Sequence, residues 1–205
     1  MTILVPHGAE AAAVRRANGN VRVVEIAAGA AAARTLPADL DDPVVVMGLC
    51  GALRDHAVGD VVIYRSVRDG TGVTALDVDV AAALGARFPQ AIAVDACSTD
   101  HVVTTIAERV DLATHQDADV VDMEGTHLAA ALAARGLRFA MLRVVSDDAS
   151  RDLPALAGAI RAGGTLDVPR IALAFVRRPH GALAFVRDVR TALAALTAAA
   201  RRLTP

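Results

Sequence analysis

The sequence predicts an α/β fold: a largely parallel sheet covered on both faces by helices. Three observations predict it. Short Val- and Ile-rich runs recur up to residue 145, each bounded by Gly, Pro, Asp or Asn. Helical patterns separate several of these runs, and from Leu153 onward the pattern is entirely helical. Strands alternating with helices favour parallel pairing, because a crossover helix returns the chain to the end of the sheet it left.

Taken in order, the strands are 2–5 (TILV), 21–26 (VRVVEI), 43–47 (PVVVM), 60–65 (DVVIYR), 91–95 (AIAVD), 118–121 (ADVV) and 138–145 (RFAMLRVV). Helices are predicted over 8–17, 79–86, 104–115 and 124–135, and the one after Gly29 is abbreviated. The helical tail breaks at Gly163-Gly164 and at Pro179-His180-Gly181. No linker-like shift in composition divides the chain, so residues 1–205 are read as one domain.

Composition narrows the function. Hydrophobic residues are 54% of the chain, enough for a large core, yet aromatics are only 2%, so Ala, Val and Leu must fill it. Lysine is absent, which removes Schiff-base lysine chemistry. A net charge of -2 gives no general attraction for nucleic acid or anionic membrane. Cys50 and Cys97 make no disulfide framework or metal knuckle, and no metal site is expected. The start, "MTILVPHGAE", has no basic or long apolar leader, and no run reaches the roughly 20 apolar residues of a bilayer span. A cytoplasmic protein without stable membrane insertion is the expectation.

In open α/β sheets ligands bind beyond the carboxyl ends of the strands. Those ends read "PHGAE" after the first strand, "GLCGAL" after the third and "CSTD" after the fifth; "DMEG" follows the sixth and "SDDAS" the seventh. Glycines, hydroxyls and carboxylates therefore gather where a pocket would be. Such a set suits acid–base work on a polar, neutral ligand, and cleavage of an N-glycosidic bond fits well. That reaction needs an acid for the departing base, a carboxylate for the sugar hydroxyls, and a group to position the nucleophile. Asp147, Glu124 and Glu10 could fill these roles.

"VVDMEG…FAMLRVVSDDA", with "MGLCGAL…VGDVVIY" upstream, resembles the nucleoside phosphorylase and methylthioadenosine/S-adenosylhomocysteine nucleosidase superfamily from Ile3 to about Leu153. The tail is similar to its short, hopanoid-associated branch, whose members are thought to act on adenosylhopane. The resemblance implies a three-layer α/β sandwich about a mostly parallel, mixed sheet, with a helical C-terminus. It implies that Glu124 holds the ribose 2′ and 3′ hydroxyls beside Met123. It further implies that Asp147 protonates N7 of the purine, that Ser146 orients it, and that Glu10 helps activate water. Arg143 would help hold the water or anion. Gly48 and Gly51 would let the backbone approach the ribosyl group, and Val102 and Val103 in "STDHVV" would line the base. No cofactor is implied, with phosphate as co-substrate if the chain is a phosphorylase. The implied partners are a small purine nucleoside and further copies of the chain, as a dimer or a trimer-based assembly.

Two positions depart from the family pattern. Leu49 stands where a hydroxyl residue is common, and Val102 where an aromatic often stacks on the purine. They keep open a relative that binds nucleosides without turnover. Each acid also has a plain structural reading: Glu10 as a first-turn acid on the helix dipole, Asp122 as a cap, Asp148 as the loop partner of Asp147. Arg143 could serve a structural ion pair, and Cys50 is read as a small buried thiol.

Overall fold

The computed structural model describes residues 1–17, 19–153 and 179–203. Eight strands are hydrogen-bonded into one mixed sheet: β1 (Thr2–Pro6), β2 (Arg22–Ile26), β3 (Val44–Ala52), β4 (Val61–Asp69), β5 (Gly72–Ala75), β6 (Ile92–Ser98), β7 (Val120–Asp122) and β8 (Phe139–Asp147). The helices are α1 (Ala9–Arg15), α2 (Val78–Arg87), α3 (Ile106–His115), α4 (Gly125–Ala134) and α5 (Pro179–Leu203). A 3₁₀ segment, Gly29–Thr35, stands where the abbreviated helix was expected. The expected break at 163–164 and the helical pattern around it lie outside the described residues. The break at 179–181 is the start of α5, where proline suits the first helical turn.

The plain sandwich is corrected by the pairing. β3 pairs with β8 in parallel, β8 with β4 antiparallel, β4 with β6 and β6 with β7 in parallel, and β7 returns antiparallel to β3. Those five strands close a ring, so the sheet is a barrel. β1 and β2 continue from β3 on one side, and β5 pairs with β4. Register shifts at Cys50/Gly51 in the β3–β8 pairing and at Tyr64/Ser66 in the β4–β6 pairing accompany the closure. Such bulges bend a strand and raise its twist, which lets a long strand leave one neighbour and meet another. β3 does this: its start lies beside β1, and its last residues, Gly51 and Ala52, lie beside β7.

Alternation along the strands builds the two main cores. Ile3, Val5, Val45, Met47, Ala140, Leu142 and Val144 point to one side, where α1, α2 and α5 cover them with Val14, Leu84, Phe88 and Leu196. Leu4, Val44, Val46, Val62, Tyr64, Met141 and Val145 point to the other, where Leu128 and Leu132 of α4 and Ala32 of the 3₁₀ segment pack. A smaller cluster of Leu53, Cys97, Val103 and Val121 lies beside Leu112 and Ala113 of α3. The helix starts are chemically marked. Asp77 accepts hydrogen bonds from the N–H groups of Asp79 and Val80, and Thr105 accepts from Glu108 in a Thr-x-x-Glu box. No helix among the described residues is long and apolar enough to cross a membrane.

Candidate active site

The chain leaves β1 through Gly8, whose φ of 96° a side chain would strain, and this turn directs α1 back across the end of β3. Glu10, in the first turn of α1, thereby reaches the Leu49 N–H, which donates to its Oε2 at 2.8 Å. β7 ends at Asp122, and Glu124 follows at the start of α4. Glu124 accepts from the Gly29 N–H at 2.8 Å, at the head of the 3₁₀ segment. β8 ends at Ser146 and Asp147. All these termini share one end of the sheet and surround a cavity of about 200 Å³.

Its lining contains Glu10, Gly51, Val102, Val103, Met123, Glu124, Ser146 and Asp147 among the residues singled out from the sequence. Leu49, Cys50, Thr99, His101, Val121 and Asp122 are the other described residues that line it. Gly48 and Arg143 are not on this surface. Arg143 is fully buried, with Nη2 at 3.2 Å from Asp122 Oδ2 and 3.5 Å from Glu124 Oε2. Its guanidinium and the Glu10 carboxylate both lie against Gly48. A side chain at Gly48 would collide with Arg143 Nη1 and Glu10 Oε2. Gly48→Ala is therefore expected to destabilise the fold by about 1–3 kcal/mol, the usual range for overpacking. A shift of the urea midpoint measures it, and an unchanged midpoint would show that the pair can move aside.

Charge is unbalanced here. Glu10, Asp122 and Glu124 surround the single guanidinium of Arg143. Asp122 is well satisfied, accepting from Ser98 Oγ at 2.6 Å, the Gly125 N–H at 3.0 Å and Tyr64 Oη at 3.3 Å. It is thus the strand-end residue that the sequence offered, holding the first N–H of α4, and the closest acid to Arg143. Burial pushes Glu10 up to about 7, against the pull of Arg143, and neighbouring Glu124 and Asp122 add to the rise. Burial also raises Glu124, again opposed by Arg143. A carboxyl poised near neutrality is what a proton-accepting group needs.

Asp147 and Asp148 separate clearly. Asp148 turns away to Arg151 and the Ser150 N–H, whereas Asp147 faces the cavity. Asp147 Oδ1 accepts from Ser146 Oγ at 2.5 Å, and its Oδ2 is ion-paired with Arg109 of α3. Sequence reasoning missed Arg109. The available signal was its place on one helix face with Leu112 and Ala113, at the i, i+3, i+4 spacing of a buried stripe. Cys50 touches the cavity, but burial raises its thiol well above the ordinary value and removes the thiolate a nucleophile would need. His7 bonds to the Ile26 carbonyl at 3.1 Å and is not part of the lining. No cluster of His, Cys, Asp and Glu suited to a metal occurs among the described residues.

Residues 78–176 match the family model described as the phosphorylase superfamily. That segment, a little under half of the chain, is what resembles the superfamily. Solved structures of similar fold span nearly the whole chain. The 5′-methylthioadenosine nucleosidase of Arabidopsis thaliana, in apo form, is 15% identical with a TM-score of 0.68, covering 97% of this chain and 91% of its own. The native futalosine hydrolase of Helicobacter pylori is 13% identical with a TM-score of 0.66, over 92% and 96%. A mutant MTAN of the same organism, holding 5′-methylthioadenosine in its active site, is 13% identical with a TM-score of 0.68, over 97% and 96%. At such identities the likeness to these structures is one of fold. No curated protein matches the chain. The matched segment contains both "VVDMEG" and "VVSDDA", in agreement with the expectation drawn from them, and the cavity lies where those two segments end.

Proposed function

We propose that the chain is an N-ribosyl hydrolase that releases the base from a purine nucleoside or a 5′-substituted adenosine. The substituent is of the methylthio, homocysteinyl or hopanoid kind. The observation that carries this reading is the meeting of Glu10, Glu124 and Asp147, from three separate chain segments, on one small cavity. Glu124, fixed by the Gly29 N–H, offers an acceptor to ribose hydroxyls, with Met123 beside the sugar. Asp147 faces the base and passes a proton to N7 as the C1′–N bond breaks. Glu10, held by Leu49, takes a proton from the attacking water. Arg143, behind the wall, holds negative charge in place and counters the repulsion among the acids. Gly51 keeps the wall thin next to Asp147.

Water is favoured over phosphate by charge. Among the described residues four acidic side chains line the cavity and no arginine does, so no guanidinium on those walls would hold an incoming anion. Phosphorolysis remains the runner-up, and a nucleoside-binding relative without turnover is the reading from another class, favoured by Leu49 and Val102 in the wall. The proposal also takes residues 1–205 as one domain and the working form as a homo-oligomer, needing no cofactor.

The test is to incubate pure protein with adenosine, methylthioadenosine and inosine, with and without phosphate, and to follow free base. Equal release in both conditions supports the hydrolase. Release only with phosphate overturns it in favour of a phosphorylase, and saturable binding without release overturns turnover altogether. The pH profile gives a second check. Glu10 must be ionised to accept a proton, so its value of about 7 predicts an acid limb near neutrality. Below it the rate should fall about tenfold per pH unit. Glu10→Gln should remove that limb along with most of the activity.

A further inference from the structure

Arg109 is among the largest fully buried side chains, at 1% exposure, yet no part of it reaches the cavity. Its Nη1 donates to the Ala52 carbonyl at 2.7 Å and its Nη2 to the Val103 carbonyl at 3.3 Å, while Nη2 also contacts Asp147 Oδ2. Its Nε has no partner among the described residues. As a stabilising device this is poor. A buried guanidinium loses its hydration, and an aliphatic side chain on the stripe with Leu112 and Ala113 would pack at lower cost. What the arginine supplies is a fixed positive charge against the one acid that faces the base.

We propose that Arg109 is a positioning residue for Asp147: it fixes the carboxyl group toward the cavity and stabilises the carboxylate left when Asp147 gives up its proton. The inference rests on the proposed glycosidic cleavage. As the C1′–N9 bond breaks, its electron pair stays on N9 of the base, and the Asp147 proton goes to N7. The hydroxyl of water joins C1′, its proton goes to Glu10, and Asp147 regains a proton through solvent. Negative charge therefore grows on Asp147 as the bond breaks, beside a guanidinium already in place. An interaction that strengthens toward the transition state raises kcat more than it lowers KM. Ser146 Oγ, on Oδ1, and Arg109, on Oδ2, together fix both carboxyl oxygens and leave a free position on the group to carry the proton that passes to N7.

The experiment compares Arg109→Met and Arg109→Lys in the wild-type and Asp147→Asn backgrounds, with thermal melting to establish folding. Two readouts are taken: base release, and binding of adenine by calorimetry. Arg109→Met is expected to lower kcat about 30-fold or more with KM nearly unchanged, Arg109→Lys to recover part of it, and Arg109→Met to add little once Asp147 is Asn. Adenine affinity should fall about tenfold in Arg109→Met and recover partly in Arg109→Lys. Equal losses in both backgrounds, or no loss in folded Arg109→Met, overturn the proposal. If Arg109→Met does not fold, Arg109→Lys decides alone: wild-type kcat and adenine affinity overturn it, and a partial loss of kcat at constant KM supports it. A wild-type protein that binds adenine but releases no base defeats the nucleosidase reading, and adenine binding across the variants then decides on Arg109. A wild-type protein that does neither overturns both.

Discussion

Asp147→Asn is expected to slow base release by about 100-fold or more while leaving KM within a few-fold of wild type. The substitution keeps the shape of the side chain and one oxygen for Arg109, with the amide N–H turned to Ser146 Oγ, which can accept. It removes the transferable proton, which matters only as the leaving group departs. Ground-state binding should therefore survive and turnover should not. Some stability will also go. Arg109 is buried and keeps the carbonyls of Ala52 and Val103 but exchanges a carboxyl oxygen for an amide one, a change worth about 1–3 kcal/mol at a buried charged donor. Kinetics must be taken well below the melting point so that the fall in kcat refers to folded enzyme. Steady-state kcat and KM on a purine nucleoside provide the measurement, and a fully active Asn variant would remove Asp147 from its role.

The most legible strands are those buried on both faces, which read as unbroken apolar runs. β1 and the first part of β8 are examples. β5 was missed for the opposite reason: Gly72–Ala75 is short and mostly exposed, so no burial pressure marks its sequence. The closure into a barrel was also illegible, because it rests on register shifts near Cys50 and Tyr64 and on β3 changing neighbours, features set by tertiary pairing. At the site, acids at strand ends were readable as a group because an exposed pocket needs them where apolar runs stop. Depth was not readable. Arg143 lies in the middle of "FAMLRVV", where alternation places it off the cavity wall and beneath Gly48. Arg109 sits in a helix of mixed polarity, and only its stripe-mates, not its neighbours in sequence, mark it as buried.

The largest loss of stability is expected from Arg143→Met, with a sign of pH dependence that follows from the acids around it. In the wild type the guanidinium, which has no exposed surface, sits between Asp122 and Glu124 and lowers the proton affinity of Glu10. Removing one member of such a buried set typically costs about 3–5 kcal/mol, because the charges left behind have neither water nor a partner. Methionine fills much of the space, so the loss is electrostatic more than steric. Burial already raises Glu10 from the ordinary 4.5 to about 7, and raises Glu124, with Arg143 opposing both. Without Arg143 both should rise further. The folded variant then binds more protons than its unfolded chain at neutral pH. A group raised in this way stabilises the fold only while protonated in both states, so stability falls as pH climbs above 4.5 and through the folded values. Urea unfolding should accordingly show Arg143→Met much weaker than wild type at pH 8 and closer to it at pH 5. Arg143→Lys, which keeps a charge but loses the planar fork, should fall between the two. An equal deficit at both pH values would mean that lost packing, not unpaired carboxylates, accounts for the damage, and that Arg143 does not govern the protonation of Glu10 and Glu124.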